Sequence, residues 1–236
     1  MNGEKAGGQD MLVPASTRSL SSPSSTLVMR GLEFLAEKQI DHASKLLGKG
    51  DKAGAVQQFR EALSLTPMRA AVRLCLAKLL EGMGDIRGGI AEYREVLRVI
   101  SDDDEMVQLV HMNIGRALMD AGDFSAAILE FREVIRLESD YAPAHKWLGG
   151  ALVKSGDLQG AIAEYLEAIR LKPGDVTSHL GLGHALHTTG ELENAATDFY
   201  LVLYFAKDCL SQYEEETEIA RNALRDMGLP DEISWD

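Results

Sequence analysis

Two histidines three residues apart, His184 and His187, invite a metal ion, because i and i+3 share one face of a helix and both rings reach the same point. Two ligands make a weak site. No cysteine or second pair stands at matching spacing nearby, so no bound metal is expected. The acidic run Asp102-Asp103-Asp104-Glu105 falls in an expected exposed turn, where water leaves carboxylates with ordinary acidity. The chain has no Walker-type phosphate loop, no HExxH and no GxSxG, and Gly181-Leu182-Gly183 punctuates a helix instead of marking a cofactor. Neither catalysis nor a cofactor is expected. What remains is recognition chemistry: Lys78, Arg116, Lys146 and Lys154, with the large ring of Trp147 among them.

Such residues act together only if the chain brings them to one surface, and an internal repeat supplies the means. A glycine followed by an acid returns as Gly50-Asp51, Gly84-Asp85, Gly122-Asp123, Gly156-Asp157 and Gly190-Glu191, at steps of 34, 38, 34 and 34. Glycine suits the left-handed residue that ends one helix, and an acid beside it favours the start of the next. Each repeat is therefore a helix, a tight turn and a helix. Counting position 1 at Ala36, Ala70, Gln108, Ala142 and Val176, position 8 is always small: Ala43, Ala77, Gly115, Gly149 and Gly183. So is position 20, with Ala55, Gly89, Ala127, Ala161 and Ala195, while position 24 is always aromatic, with Phe59, Tyr93, Phe131, Tyr165 and Phe199. Rings set against small side chains suit interlocking helices, each ring contributing roughly 2 to 3 kcal/mol by burial.

These columns resemble the tetratricopeptide repeat family. The fourth unit carries the likeness best, with Leu148-Gly149, Gly156, Ala161, Tyr165, Ala168 and Pro173 at the family's positions 7, 8, 15, 20, 24, 27 and 32. The likeness covers about residues 36 to 209. It implies an all-α, right-handed α-solenoid of five helix-turn-helix units, 36–69, 70–107, 108–141, 142–175 and 176–209. The second unit departs from the pattern by about four extra residues near Ser101 to Glu105, expected in the turn between units. The terminal proline is replaced by Ser101, Ser139 and Lys207 in three units. His111, His145 and His179 fall at position 4, where the family places a bulky residue against the preceding repeat, so they are expected to pack.

Around the repeats, residues 1–25 form a Gly/Ser/Pro-rich arm expected to be disordered. From residue 26 a helical lead-in, with Leu27, Val28, Leu32, Phe34, Leu35 and Ile40, is expected to cover the open start of the stack. Residues 210–228 read as a capping helix with Ile219, Ala220, Ala223, Leu224 and Met227 on one face, and 229–236 as an acidic tail. The formal charge of −13 and pI near 4.9 argue against nucleic acid as the partner. No apolar run approaches a membrane span, no secretory signal is visible, and Cys75 and Cys209 make no disulfide framework. A cytoplasmic location is expected.

In the family, the first helix of each unit lines a concave groove, and positions 2, 5, 9 and 12 share its inner face with position 6 beside them. Here those positions give Lys78 and Glu81, then Met112, Asn113, Arg116 and Met119, then Lys146, Trp147, Val153 and Lys154, then Leu180, His184 and His187. Against an acidic chain this strip is basic, which suits an acidic and apolar peptide or helix of another protein. The family's carboxylate clamp is absent: its slots hold Ile40, Ser44, Cys75, Leu109 and Asn113 from unit one, or Leu74, Lys78, Asn113, Pro143 and Trp147 from unit two. An asparagine ladder is absent too, since position 6 reads Asp41, Cys75, Asn113, Trp147 and Gly181. Two functions are consistent with this: a protein-binding adaptor, and a self-assembling scaffold with no peptide ligand. The tail, with Ile233 and Trp235 among acids, chemically complements the groove and is a candidate occupant of it.

Overall fold

The glycine-acid pairs build the hairpins of the protein, seen in a computed structural model that describes residues 23–101, 106–209 and 211–231. Gly50, Gly84, Gly122, Gly156 and Gly190 all lie in the left-handed region, with φ between +77° and +91°. In each pair the acidic residue donates its backbone N–H to the carbonyl of a leucine five residues back, Leu46, Leu80, Leu118, Leu152 or Leu186, at 2.9 Å. This closes one helix with a Schellman turn. Asp51, Asp85, Asp123 and Asp157 then open the next helix, accepting from the N–H of Gly54, Gly88, Ala126 and Gly160 at 2.8 to 3.1 Å.

The helices that result are α1 (Pro23–Gly48), α2 (Lys52–Leu65), α3 (Ala70–Glu81), α4 (Ile86–Val99), α5 (Met106–Asp120), α6 (Phe124–Leu137), α7 (Ala142–Ser155), α8 (Leu158–Leu171), α9 (Val176–Thr189), α10 (Leu192–Ala206) and α11 (Glu214–Asp226). They pack as consecutive pairs, α1 with α2 through α9 with α10, each pair against the next, and α11 closes the stack on α10 and α9. The fold is an all-α solenoid with no strand among the described residues. Its core is a column of position-24 rings: Phe131 faces Gly115, where an added Cβ would lie 2.6 Å from the ring. One apolar cluster runs unbroken from α3 to α11, and a smaller one joins α1, α2 and α3.

The fifth turn lacks one of these devices. Glu191, one methylene longer than aspartate, makes no side-chain cap to α10. Glu191→Asp is expected to add the missing bond and raise stability by about 0.5–1 kcal/mol in urea unfolding. An unchanged midpoint would show that the end of α10 needs no such acceptor.

The start of the stack differs from expectation. Of the lead-in residues, Leu27, Val28, Phe34 and Leu35 remain exposed, Leu27 at 73% and Phe34 at 61%, while Leu32 is half-buried and Ile40 packs on the smaller core cluster. The cause is length: α1 has 26 residues against 14 in α2, so it runs on by about 18 Å beyond its partner. The helix also begins at Pro23, inside the stretch expected as a disordered arm. Residues 1–22 of that arm, residues 102–105 of the insertion and residues 232–236 of the tail lie outside the described residues. The insertion as a whole falls between α4 and α5. On α11 the buried residues are Thr217, Ala220 and Leu224, with Ile219, Ala223 and Met227 half-buried or more exposed.

Candidate partner-binding groove

First helices meet directly, α5 with α7 and α7 with α9, in addition to packing on their own partners. They therefore line the tighter, inner side of the stack, and the groove residues lie on them. At its centre the Arg116 guanidinium of α5 sits over the Trp147 ring of α7, 5.4 Å from its centroid. Trp147 in turn stacks on Phe131 of α6, with centroids 6.2 Å apart and planes 22° apart. A core ring thus holds a half-buried indole, and the indole holds a cation at the surface. Arg116 makes no ion pair among the described residues, and neither do the exposed Lys78 and Lys154.

Glu81 closes one side of this cluster by accepting from the Tyr93 hydroxyl at 2.6 Å. Burial, then that bond to a carboxylate, push the phenol well above its usual range, while the charge of Arg116 works the other way. Asn113, one turn before Arg116 on α5, is half-buried, and its Nδ2 is buried without a hydrogen-bond partner among the described residues. An orphan donor of this kind costs free energy until an acceptor arrives.

Other residues of the expected strip are placed elsewhere. Met112 is 7% exposed and belongs to the main core, so it offers no flexible contact to a guest. Met119 is half-buried against the same core. Lys146 is drawn out of the strip by Asp175, 3.3 Å away at the start of α9. Lys172 holds the same carboxylate at 3.2 Å. His184 is exposed as a residue, yet its ring meets Phe199 edge-on at 5.3 Å. Desolvation, with His187 beside it, lowers the His184 pKa. Among the described residues no three His, Cys, Asp or Glu side chains come together as a metal site. The tail begins tied to the stack: Tyr200 donates to the Pro230 carbonyl at 2.8 Å, and Arg225 Nε to Asp231 at 2.5 Å.

One set of polar contacts goes beyond the packing role expected at position 4. That position pairs with position 23 of the same unit, nineteen residues on. The pairs are Arg73 with Glu92 at 2.8 Å, His111 with Glu130 at 2.7 Å, His145 with Glu164 at 2.7 Å and His179 with Asp198 at 2.8 Å. The histidines do pack, but as partners of carboxylates. The signal is present in the chain as two columns in step, basic at position 4 and acidic at position 23 in these four units.

Known proteins share this architecture. MamA is 24% identical over 76% of this chain and 96% of its own, with a TM-score of 0.66. The MamA structure from Desulfovibrio magneticus RS-1 is 18% identical over 74% and 96%, also at 0.66. YrrB, described as a tetratricopeptide protein with an unusual peptide-binding site, is 15% identical over 86% and 98%, at 0.66. No curated protein sequence matches the chain. No helix among the described residues is long and apolar enough to cross a membrane. Residues 112–176 match the family model for the tetratricopeptide repeat, and the helix-pair stack around them is similar to the fold of these solved structures.

Proposed function

We propose that the chain is an adaptor that holds an acidic, partly apolar segment of another protein in the groove of its first helices. The observation that carries this reading is the column of Phe131, Trp147 and Arg116. It presents an aromatic ring with a cation stacked over it that makes no ion pair among the described residues, the residue types that dominate binding energy at interfaces. A similar fold in YrrB is described as having a peptide-binding site, which agrees with this use. The free thiols of Cys75 and Cys209 fit a reducing cytoplasm.

Arg116→Glu combined with Lys154→Glu tests the groove, since both side chains are exposed and neither holds the fold together. Capture of partners from native lysate, read by crosslinking and mass spectrometry, is expected to drop roughly tenfold or more with an unchanged melting temperature. Undiminished capture removes the groove from consideration. The exposed Leu27, Val28, Met29 and Phe34 favour a second reading, self-assembly through the overhang of α1. Light scattering that grows with concentration would support it over the adaptor.

A further inference from the structure

The ladder of position-4 side chains contains a requirement for protons. His145 places Nδ1 2.7 Å from Glu164 Oε2 and Nε2 3.0 Å from the carbonyl of Ser139. His179 repeats this, with Nδ1 2.8 Å from Asp198 Oδ1 and Nε2 2.9 Å from the carbonyl of Pro173. Each ring therefore faces an acceptor on both sides. A neutral imidazole carries one N–H, so one of its nitrogens would point a lone pair at oxygen; the imidazolium donates twice and satisfies both. Both side chains are shut away from water, at 8% and 4% exposure, so no solvent proton substitutes.

An internal control stands in the same column. Arg73 donates Nη1 to Glu92 at 2.8 Å and Nε to the carbonyl of Pro67 at 3.2 Å, the same two kinds of acceptor at the same sequence offsets, and its guanidinium keeps its charge at any physiological pH. The site thus calls for a cation that donates twice. The carbonyls of Pro67, Ser139 and Pro173 all lie in the links that join one helix pair to the next, before α3, α7 and α9. His111 keeps only the carboxylate contact among the described bonds, and the link before it is the one that carries the insertion.

We propose that His145 and His179 are proton-operated struts: protonated, they tie the α6–α7 and α8–α9 links to α8 and α10, and on losing the proton they release those links. The surroundings of His179 favour its charged form. Glu164 faces His145 from α8, with Glu167 one turn on and lowered in pKa first by its bond from Arg170 and in smaller part by the field of His145. Asp198 faces His179 from α10, and Asp175 faces it from the cap of its own helix, itself held by Lys146 of α7 and by Lys172. Phe205 of α10 stacks on the His179 ring at 5.4 Å. Burial opposes the charge on His179, but its bonds to Asp198 and the Pro173 carbonyl outweigh this and raise its pKa above 6.5. Stability gained from a raised pKa is fully present below the unfolded value and is lost as the pH rises through the folded value. The His179 strut therefore loosens on the alkaline side. Because α7 carries Trp147 and α5 carries Arg116, loosening the link before α7 also changes how the groove is held.

The test uses the full chain. Nitrogen-15 spectra of histidine-labelled protein at about pH 6, below the ordinary histidine value, are expected to show His145 and His179 with both ring nitrogens protonated. On alkaline titration, amide protection at the start of α9 is expected to fall, after correction for intrinsic exchange, by about tenfold for each pKa unit between folded and unfolded His179. In His145→Arg with His179→Arg, which copies the arrangement at Arg73, that decline is expected to vanish. Neutral tautomers in the parent at that acidic pH overturn the proposal, and so does an alkaline decline as steep in the variant as in the parent. Should the variant fail to fold, the ring spectra of the parent decide alone.

Discussion

Phe131→Ala is expected to lower stability by about 3–5 kcal/mol, the range for deleting a fully buried ring. The Phe131 side chain is 0% exposed, lies against Gly115 and supports Trp147, so its loss empties the centre of the third hairpin and the floor of the groove together. A solenoid sums local terms, and such a gap removes the contacts that couple α3 and α4 to α7 and α8. Urea unfolding followed by Trp147 fluorescence, in a Trp235→Phe background, is thus expected to shift to lower denaturant and to separate from helix loss measured by circular dichroism. The converse change tests the same contact from the other side. Gly115→Ala puts a Cβ 2.6 Å from the ring. It is expected to cost about 1–3 kcal/mol by overpacking, much of it recovered when Phe131 is also shortened to Leu. Additive effects in that cycle, or a loss under about 1 kcal/mol for Phe131→Ala, would show that ring and glycine do not hold the hairpin.

The hairpins can be read from the sequence because their turns are governed by backbone chemistry that few residues satisfy. Gly156 at φ +91° and Asp157 capping Gly160 each perform a task with almost no substitute, so the pair recurs and announces the period. The ring and its small partner are legible for a similar reason, since Gly115 admits no side chain beneath Phe131. Elsewhere the pattern says what a residue is but not what meets it. The apolar residues before Ala36 do read as helical, yet whether they are covered depends on how far α1 outruns α2. Met112 and Arg116 are four residues apart on α5 and nearly in line, but Met112 turns into the core, because side chains lean toward the turn before them. Lys146 is lost to the strip through Asp175, in another link of the chain. Of the two acceptors around His145 and His179, the carboxylate shows in the sequence as the position-23 column, but the second is a backbone carbonyl and carries no residue identity.

Asp175→Ala is expected to cost about 2–3 kcal/mol at neutral pH, above an ordinary helix cap, because one carboxylate serves several donors at once. Ser178 gives its N–H at 3.2 Å and its hydroxyl at 2.7 Å, Thr177 its hydroxyl at 2.9 Å, and Lys146 and Lys172 their ammonium groups at 3.3 and 3.2 Å. Burial alone would raise the pKa of Asp175, but the bonds from Ser178 and Thr177 and the charge of Lys146 prevail and hold it well below the carboxylate range. The sign follows: a depressed pKa stabilises above the unfolded value near 3.8 and is lost as the pH falls through the folded one. Acid unfolding of the parent is therefore expected to draw on this group, and Asp175→Asn, which keeps an acceptor but not the charge, to flatten that limb while retaining part of the cap. A loss under about 0.5 kcal/mol for Asp175→Ala, or an acid limb unchanged in Asp175→Asn, would show that the cluster does not hold α9. The same cluster narrows the recognition surface. With Lys146 serving the link into α9, the charge of the proposed groove comes from Lys78, Arg116 and Lys154, and the indole of Trp147 lies directly beneath the Arg116 guanidinium.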